Sequence, residues 1–104
     1  MKRIMVRYKV KPNRAGENQE YVEKVFEELR RNSPPGLRYA SFKQNDGVSF
    51  VHIVSVETET GDNPLSQSPA FQAFQEGIKE RCEEQPVATD LEEVGSYQFF
   101  GNGH

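Results

Sequence analysis

The segment DGVSFVHIVSVETE, residues 46–59, constrains the fold of this 104-residue chain more than any other feature. Residues 48–57 are mostly strand formers, and the turn signal Asn-Asp-Gly at residues 45–47 comes directly before them. Apolar side chains occur on both faces of the predicted strand, since Phe50 points to one face and Val51 to the other. A strand of this kind is usually covered on both faces. We therefore expect helices of the same chain on one face and a second copy of the chain on the other.

The other periodic segments predict a β-α-β-β-α-β order. The predicted elements are strands at residues 3–11, 37–44 and 48–57, helices at 17–32 and 68–85, and a last strand within 91–100. Ser68 followed by Pro69 is a favourable helix start, and Pro86 is expected to end the second helix. Residues 101–104 are expected to be a frayed tail. This order is the ferredoxin-like α+β arrangement, a four-stranded antiparallel sheet with both helices on one face. The first and third strands are central in that arrangement.

A single domain over residues 1–104 is expected, because a chain of this length supports one small core. The hydrophobic fraction of 35% and the mean hydropathy of −0.80 are low for a core that is complete in one chain. Two sheets placed face to face would bury the remaining apolar face. The pattern thus predicts a homodimer through the sheet face opposite the helices. The alternative is a solvent-facing sheet with scattered apolar residues.

Charge and composition argue against several classes of partner. The net charge is −3, so the basic residues near the N-terminus, such as Arg3 and Lys9, are expected to pair with acids rather than with nucleic acid. The segment GVSFVHI at residues 47–53 partly fits an RNA-recognition strand, but Met5 stands where the first strand would need an aromatic residue. We also expect no membrane contact, no metal site and a cytoplasmic location, because apolar runs are short and Cys82 is the single cysteine.

Four short segments together resemble antibiotic biosynthesis monooxygenase (ABM) domains of the dimeric α+β barrel superfamily. They are VKP at residues 10–12, PGLRY at 35–39, FVHI at 50–53 and SQSPAFQAF at 66–74. The resemblance implies a ferredoxin-like protomer, a homodimer whose two sheets form a barrel, and a pocket between each sheet and its own helices. It also implies a cofactor-independent monooxygenase that acts on a small aromatic or quinol-type substrate. The alternative is a non-catalytic homodimer of the same fold that binds a small molecule or a protein partner.

The chain departs from the active members that it resembles. Those members commonly carry a tryptophan near the end of the third strand, whereas this chain has no tryptophan and Val56 or Glu57 stands there. Members of the haem-degrading branch of the family that the chain resembles carry a set of Asn, Trp and His residues. Here Arg7 or a neighbour takes the place of that Asn, and the second helix has no histidine. Haem degradation is therefore not expected, and no cofactor is implied.

His52 is the candidate catalytic residue, because it is the only histidine inside a predicted element. In the arrangement implied by the resemblance it would line the pocket beneath the helices. The pKa of an unperturbed histidine lies near neutrality, so His52 is suited to take a proton from a phenolic or quinol hydroxyl. The alternative is a core histidine that is hydrogen bonded to a neighbouring group.

Aromatic side chains and one arginine are the candidate substrate-binding residues. An aromatic wall around a flat ligand would be formed by Tyr8, Phe26, Tyr39, Phe50, Phe71 and Phe74. Arg38 is a candidate to orient an anionic or enolate oxygen. The alternatives are that the aromatic rings are plain core and that Arg38 makes an ordinary surface ion pair.

Overall fold

The structure, a computed structural model, describes residues 1–99, and the tail expected at residues 101–104 lies outside them. Two short 3₁₀ turns, Pro12–Arg14 and Pro64–Gln67, introduce the two helical regions. The elements in chain order are β1 (Lys2–Val10), α1 (Ala15–Asn32), β2 (Leu37–Lys43), β3 (Ser49–Val56), α2 (Pro69–Glu76), α3 (Ile78–Arg81) and β4 (Cys82–Leu91).

The four strands form one antiparallel sheet in the order β2-β3-β1-β4. The two central strands are therefore β1 and β3, as the sequence predicted. The helices cover one face, and β2 and β4 are the two edges of the sheet among residues 1–99. The chain has the predicted ferredoxin-like α+β fold, and its sheet is not closed into a barrel.

The core lies between the sheet and the helices, on the face of β3 that carries Phe50. Tyr8 on β1 pairs with Phe50 in the antiparallel register, and their rings stack at 5.5 Å between centroids. Val22 and Val25 of α1 close the core from the helix side. The face of β3 predicted to point towards the helices is therefore the buried face.

A buried carboxylate and a serine hold the start of α2. Ser68 Oγ accepts a hydrogen bond from the Phe71 N–H, which is the helix start predicted from the Ser-Pro pair. Glu28 Oε2 on α1 accepts from the Ala70 N–H at 2.9 Å. Because the first N–H groups of a helix have no partner within it, the two side chains stabilise α2 and fix its position against α1.

The predicted C-terminal elements were wrong in their boundaries. The second helix was expected to continue to residue 85 and the last strand to lie within 91–100, but α2 ends at Glu76 and β4 begins at Cys82. Pro86, expected to end the helix, lies inside β4. A proline is tolerated there because β4 is an edge strand, and the register shift between Arg7 and Lys9 leaves Pro86 in a bulge.

The second face of the sheet carries apolar side chains on both its central and its edge strands, and ion pairs at one end. Phe42 is 50% exposed and Val87 is 63% exposed, with Val51 and Ile53 half-buried between them. Arg3 forms ion pairs with Glu57 and Glu93, in agreement with the expected pairing of the basic run with acids. This face has no covering element among the described residues other than the segment that follows β4.

Candidate functional site

A pocket of about 270 Å³ lies between the sheet and the second helical region. Strand residues such as Ile4 and Val54 form its floor, and Phe71 and Phe74 of α2 form its wall. The bulge in β4 places Pro86 at its edge. The lining is mainly apolar, and its polar groups are few, as is typical of sites for small molecules. They are Tyr8, Tyr39, His52, Asn63 and Gln75.

His52 is the centre of the polar groups in this pocket. It is 4% exposed, and both ring nitrogens have hydrogen-bond partners. The Tyr8 hydroxyl lies 2.8 Å from Nε2, and the Tyr39 hydroxyl lies 2.6 Å from Nδ1. Ser41 Oγ lies 3.3 Å from Nε2. The antiparallel register explains the arrangement. Val6 and Ser41 are the direct neighbours of His52 on the two adjoining strands, and Tyr8 and Tyr39 lie two residues from them on the same face of the sheet.

Burial controls the ionisation of these three rings. It lowers the pKa of His52 to about 4, so the imidazole is neutral at pH 7. Burial also raises the pKa of Tyr39, and it raises the pKa of Tyr8 although the hydrogen bond from Asn18 acts in the opposite direction. Both phenols are therefore protonated near neutral pH.

Asn18 and Arg81 extend the polar network away from the pocket. Asn18 Nδ2 donates to the Tyr8 hydroxyl at 2.9 Å, and Arg81 Nε donates to Asn18 Oδ1 at 3.1 Å. Arg81 Nη2 also donates to the Phe74 carbonyl at 2.7 Å. Asn18 is fully buried and Arg81 is 1% exposed, so this is a solvent-excluded chain of polar groups.

Sequence reasoning missed Asn18 and Arg81. A signal was present for both, because each occupies the apolar face of its helical pattern. Asn18 precedes Val22 by four residues, and Arg81 follows Ile78 by three. A polar residue at such a position must find a partner when it is buried. Periodicity does not identify that partner, which for Arg81 is 63 residues away in the chain.

The structure brings together five of the eight candidate site residues and separates the other three. The five that line the pocket are Tyr8, Tyr39, His52, Phe71 and Phe74. Phe50 lies behind the ring of Tyr8, and Phe26 stacks on Tyr39 at 5.0 Å from outside the pocket. Arg38 points to the opposite face of the sheet, where its Nε donates to Glu57 Oε1 at 3.2 Å. It therefore does not contact the pocket.

Residues 1–99 contain neither a candidate metal site nor a candidate membrane span. This part of the chain has no group of three or more histidine, cysteine or acidic side chains that would suit a metal ion. No helix in the same range is both long and apolar enough to cross a membrane. Cys82 is a buried free thiol at the start of β4, and burial raises its pKa.

The open antiparallel sheet, with the helices on one face and the pocket between them, is a ferredoxin-like α+β fold. Solved structures share this fold. The Mycobacterium tuberculosis protein Rv0793 superposes with a TM-score of 0.74 at 14% identity, covering 91% of this chain and 96% of the other. An antibiotic biosynthesis monooxygenase superposes with a TM-score of 0.71 at 15% identity, covering 91% of this chain and 100% of the other.

A third similar structure is a mutant of SnoaB, a cofactor-independent oxygenase from Streptomyces nogalater. It superposes with a TM-score of 0.67 at 13% identity, covering 91% of this chain and 94% of the other. No protein-family model matches the sequence, and the comparison with curated proteins also found no match. At these identities the likeness establishes the fold.

Proposed function

We propose that the pocket binds a small aromatic or quinol-type molecule and that the protein is a cofactor-independent monooxygenase acting on it. The observation that carries the proposal is the convergence of His52 with the hydroxyls of Tyr8 and Tyr39 on a mainly apolar pocket. Apolar walls suit the flat rings of such a ligand, and the three polar groups suit one oxygen on it. The shared fold of SnoaB, itself a cofactor-independent oxygenase, supports the same class of reaction.

The proposed reaction needs no electrons from outside the substrate. In a two-ring phenol such as 1-naphthol, loss of the phenolic proton gives an anion that passes one electron to dioxygen. The resulting radical and superoxide combine at the ring carbon opposite the oxygen, and the peroxide takes a proton. Loss of the proton on that carbon, with cleavage of the O–O bond, gives 1,4-naphthoquinone and water. One oxygen atom of dioxygen is thus retained in the product and the other leaves in water.

Two roles for His52 are compatible with its place in the pocket. As a base it would take the phenolic proton, as the sequence suggested, and it is neutral at pH 7 as a base must be. Its pKa of about 4 makes the protonated form unfavourable, however, and both ring nitrogens are already hydrogen bonded. In the second role, His52 and Tyr39 hold the anionic substrate oxygen by a fixed hydrogen bond. Both roles make turnover depend on His52.

Oxygen uptake and product labelling test the proposal. Wild-type protein is incubated with 1-naphthol under ¹⁸O₂, and one labelled atom per molecule of quinone is expected above the protein-free rate. The same assay on His52→Gln should give a rate lower by about 100-fold, since a single proton-handling group contributes that much or more. His104→Gln, which removes the other histidine, is the control and should keep the wild-type rate. Unchanged turnover in His52→Gln would remove His52 from the mechanism.

A non-catalytic binding protein is the second candidate function. The observation that favours it is the occupation of both His52 nitrogens by tyrosine hydroxyls, which suits fixed hydrogen bonding better than proton transfer. Saturable binding of 1-naphthol without labelled quinone would support this candidate and overturn the monooxygenase.

A cytoplasmic location remains part of either proposal, supported by the free thiol of Cys82.

A homodimer through the open sheet face belongs to the same proposal. The apolar side chains of that face include Phe42, Val51, Ile53 and Val87. A second copy of the chain is the proposed cover, because the same patch on two chains is self-complementary about a twofold axis. Two such sheets would complete the barrel that the resemblance implies. The pocket lies on the other side of the sheet, so each protomer keeps its own site.

A further inference from the structure

We infer that Arg81 and Asn18 fix the tautomer of His52 with its ring proton on Nδ1, so that the Tyr39 hydroxyl donates to an acceptor oxygen of the ligand. The inference about the tautomer concerns the protein alone. The inference about the ligand rests on the proposed function, because it assigns a chemical class to the molecule bound in that pocket.

The direction of the chain of hydrogen bonds is set at Arg81. A guanidinium group only donates hydrogen bonds, so the Asn18 atom that faces Arg81 Nε at 3.1 Å is the carbonyl oxygen Oδ1. A second bond from Nη2 to the Phe74 carbonyl and the ring of Tyr21, 4.5 Å from the guanidinium carbon, hold Arg81 in place. The amide of Asn18 therefore has one permitted orientation.

That orientation makes Asn18 a donor to Tyr8. Its Nδ2 lies 2.9 Å from the Tyr8 hydroxyl, whose oxygen accepts the bond. The single proton of the Tyr8 hydroxyl then needs an acceptor. Among residues 1–99 the only other partner of this hydroxyl is His52 Nε2, at 2.8 Å. The opposite tautomer, with the proton on Nε2, would leave the buried Tyr8 O–H without an acceptor, which is unfavourable.

With Nε2 as the acceptor, the proton of the neutral ring is on Nδ1. Nδ1–H then donates to the Tyr39 oxygen at 2.6 Å. The Tyr39 proton has to point elsewhere, and His52 is the only hydrogen-bond partner of this hydroxyl in the described part of the chain. Because Tyr39 lines the pocket, its O–H is available to a group bound there.

The pocket is therefore expected to prefer a ligand oxygen that accepts a hydrogen bond, such as a carbonyl or an ionised phenol. The orientation also opposes a base role for His52 through Tyr39, since the Tyr39 oxygen already accepts from Nδ1–H. Asn18 and Arg81 are positioning residues in this scheme. They act on the ligand through Tyr8, His52 and Tyr39.

The tautomer is measured by nitrogen NMR on protein labelled with ¹⁵N-histidine at pH 8, where His52 is neutral. In the wild type, the His52 spectrum should show a protonated Nδ1 and an unprotonated Nε2. A protonated Nε2 in the wild type would overturn the inference without reference to any ligand or turnover.

The variant Asn18→Asp is expected to invert the chain. A carboxylate keeps the bond from Arg81 but accepts from the Tyr8 O–H, so the Tyr8 oxygen becomes the acceptor for Nε2–H. The His52 proton should then move to Nε2. Ser41→Ala is the control, because it removes the 3.3 Å contact at Nε2 without changing Asn18, and it should keep the wild-type tautomer. An unchanged tautomer in Asn18→Asp would overturn the role of Asn18.

Ligand preference is measured with 1-tetralone, which has one carbonyl acceptor, and with tetralin, which has the same carbon skeleton without oxygen. Wild-type protein should bind 1-tetralone about 10-fold more tightly than tetralin, the value of one ordinary hydrogen bond. Asn18→Asp should lose this preference while still binding tetralin. Equal affinity of the wild type for both compounds would overturn the inference about the ligand. Failure to bind either compound would instead count against the proposed function.

Discussion

The Tyr39 hydroxyl lies 2.6 Å from His52 Nδ1, within a pocket whose other walls are mainly apolar. Phe26 packs on the outer face of the Tyr39 ring at 5.0 Å, so the ring is held in place by a residue that does not reach the pocket. The hydroxyl is thus fixed at the end of a buried chain of polar groups and faces the space where a ligand would lie.

Tyr39→Phe should weaken binding of 1-tetralone by about 10-fold, because one hydrogen bond to the ligand is lost. It should also lower the free energy of unfolding by about 1–3 kcal/mol, since His52 Nδ1–H loses its partner in a buried site. Tyr21→Phe is the matched control, as it removes a hydroxyl outside the pocket and keeps the ring beneath Arg81. Calorimetric titration and urea denaturation check the two effects. Wild-type affinity in Tyr39→Phe would exclude Tyr39 as the donor.

Stability should fall as the pH is lowered from about 6.5, the ordinary pKa of histidine, towards 4. His52 has a pKa of about 4 in the folded protein, so in this window the unfolded chain binds a proton that the folded chain does not. The free energy of unfolding then decreases with falling pH, by roughly 3 kcal/mol across the window, and His52 adds no further change below it. Urea denaturation at a series of pH values measures the slope.

His52→Gln should lose this slope between pH 6.5 and pH 4, whereas His104→Gln should keep it. Carboxyl groups with lowered pKa values, such as Asp46 at about 2, act mainly at lower pH and are present in both variants. Equal slopes in His52→Gln and the wild type would mean that the His52 pKa is not depressed by burial.

Glu28→Ala should destabilise the protein by about 1–3 kcal/mol, because the Ala70 N–H at the start of α2 loses its acceptor. Glu28→Gln keeps an acceptor oxygen and should be less destabilising. Glu27→Ala, at an exposed position on the same helix, should change stability by no more than about 0.5 kcal/mol. Urea denaturation ranks the three variants. Equal stability of Glu28→Ala and Glu27→Ala would show that the contact does not hold α2.

Val87→Asp should convert the proposed homodimer into a monomer. Val87 is 63% exposed on the open sheet face, so the substitution costs the isolated protomer little but places a charge in the proposed interface. Gln67→Asp, an exposed substitution on the helix side, is the control and should remain dimeric. Sedimentation velocity reports the mass. A wild-type protein that sediments as a single 11.9 kDa chain at high concentration would contradict the dimer.

Most of the fold could be predicted from the sequence because its signals are local. The two-sided apolar pattern of residues 48–57 and the Ser-Pro pair at 68–69 each predicted an element that the structure contains. The end of the second helix could not be predicted in the same way. Pro86 has both a helix-ending and a strand-bulge interpretation, and pairing with β1 decides between them.

The candidate site was predictable only in part. His52 and the aromatic residues of the pocket follow from the faces of their strands and helices, whereas the bonds of Asn18 to Tyr8 and to Arg81 depend on how distant elements pack. Arg38 is the opposite case, a residue predicted for the site that the structure places elsewhere. Its position in β2 sends its side chain to the opposite face, where Glu57 is its partner.

We propose that the space between the sheet and α2 is a ligand site with Tyr39 and His52 at its polar end. NMR contacts between bound 1-tetralone and the protein test this site most directly. We expect nuclear Overhauser effects from the ligand to the ring protons of Phe71 and Phe74, with the carbonyl directed to Tyr39. Contacts only to Phe42 and Val51 on the open sheet face, or no binding at all, would contradict the claim.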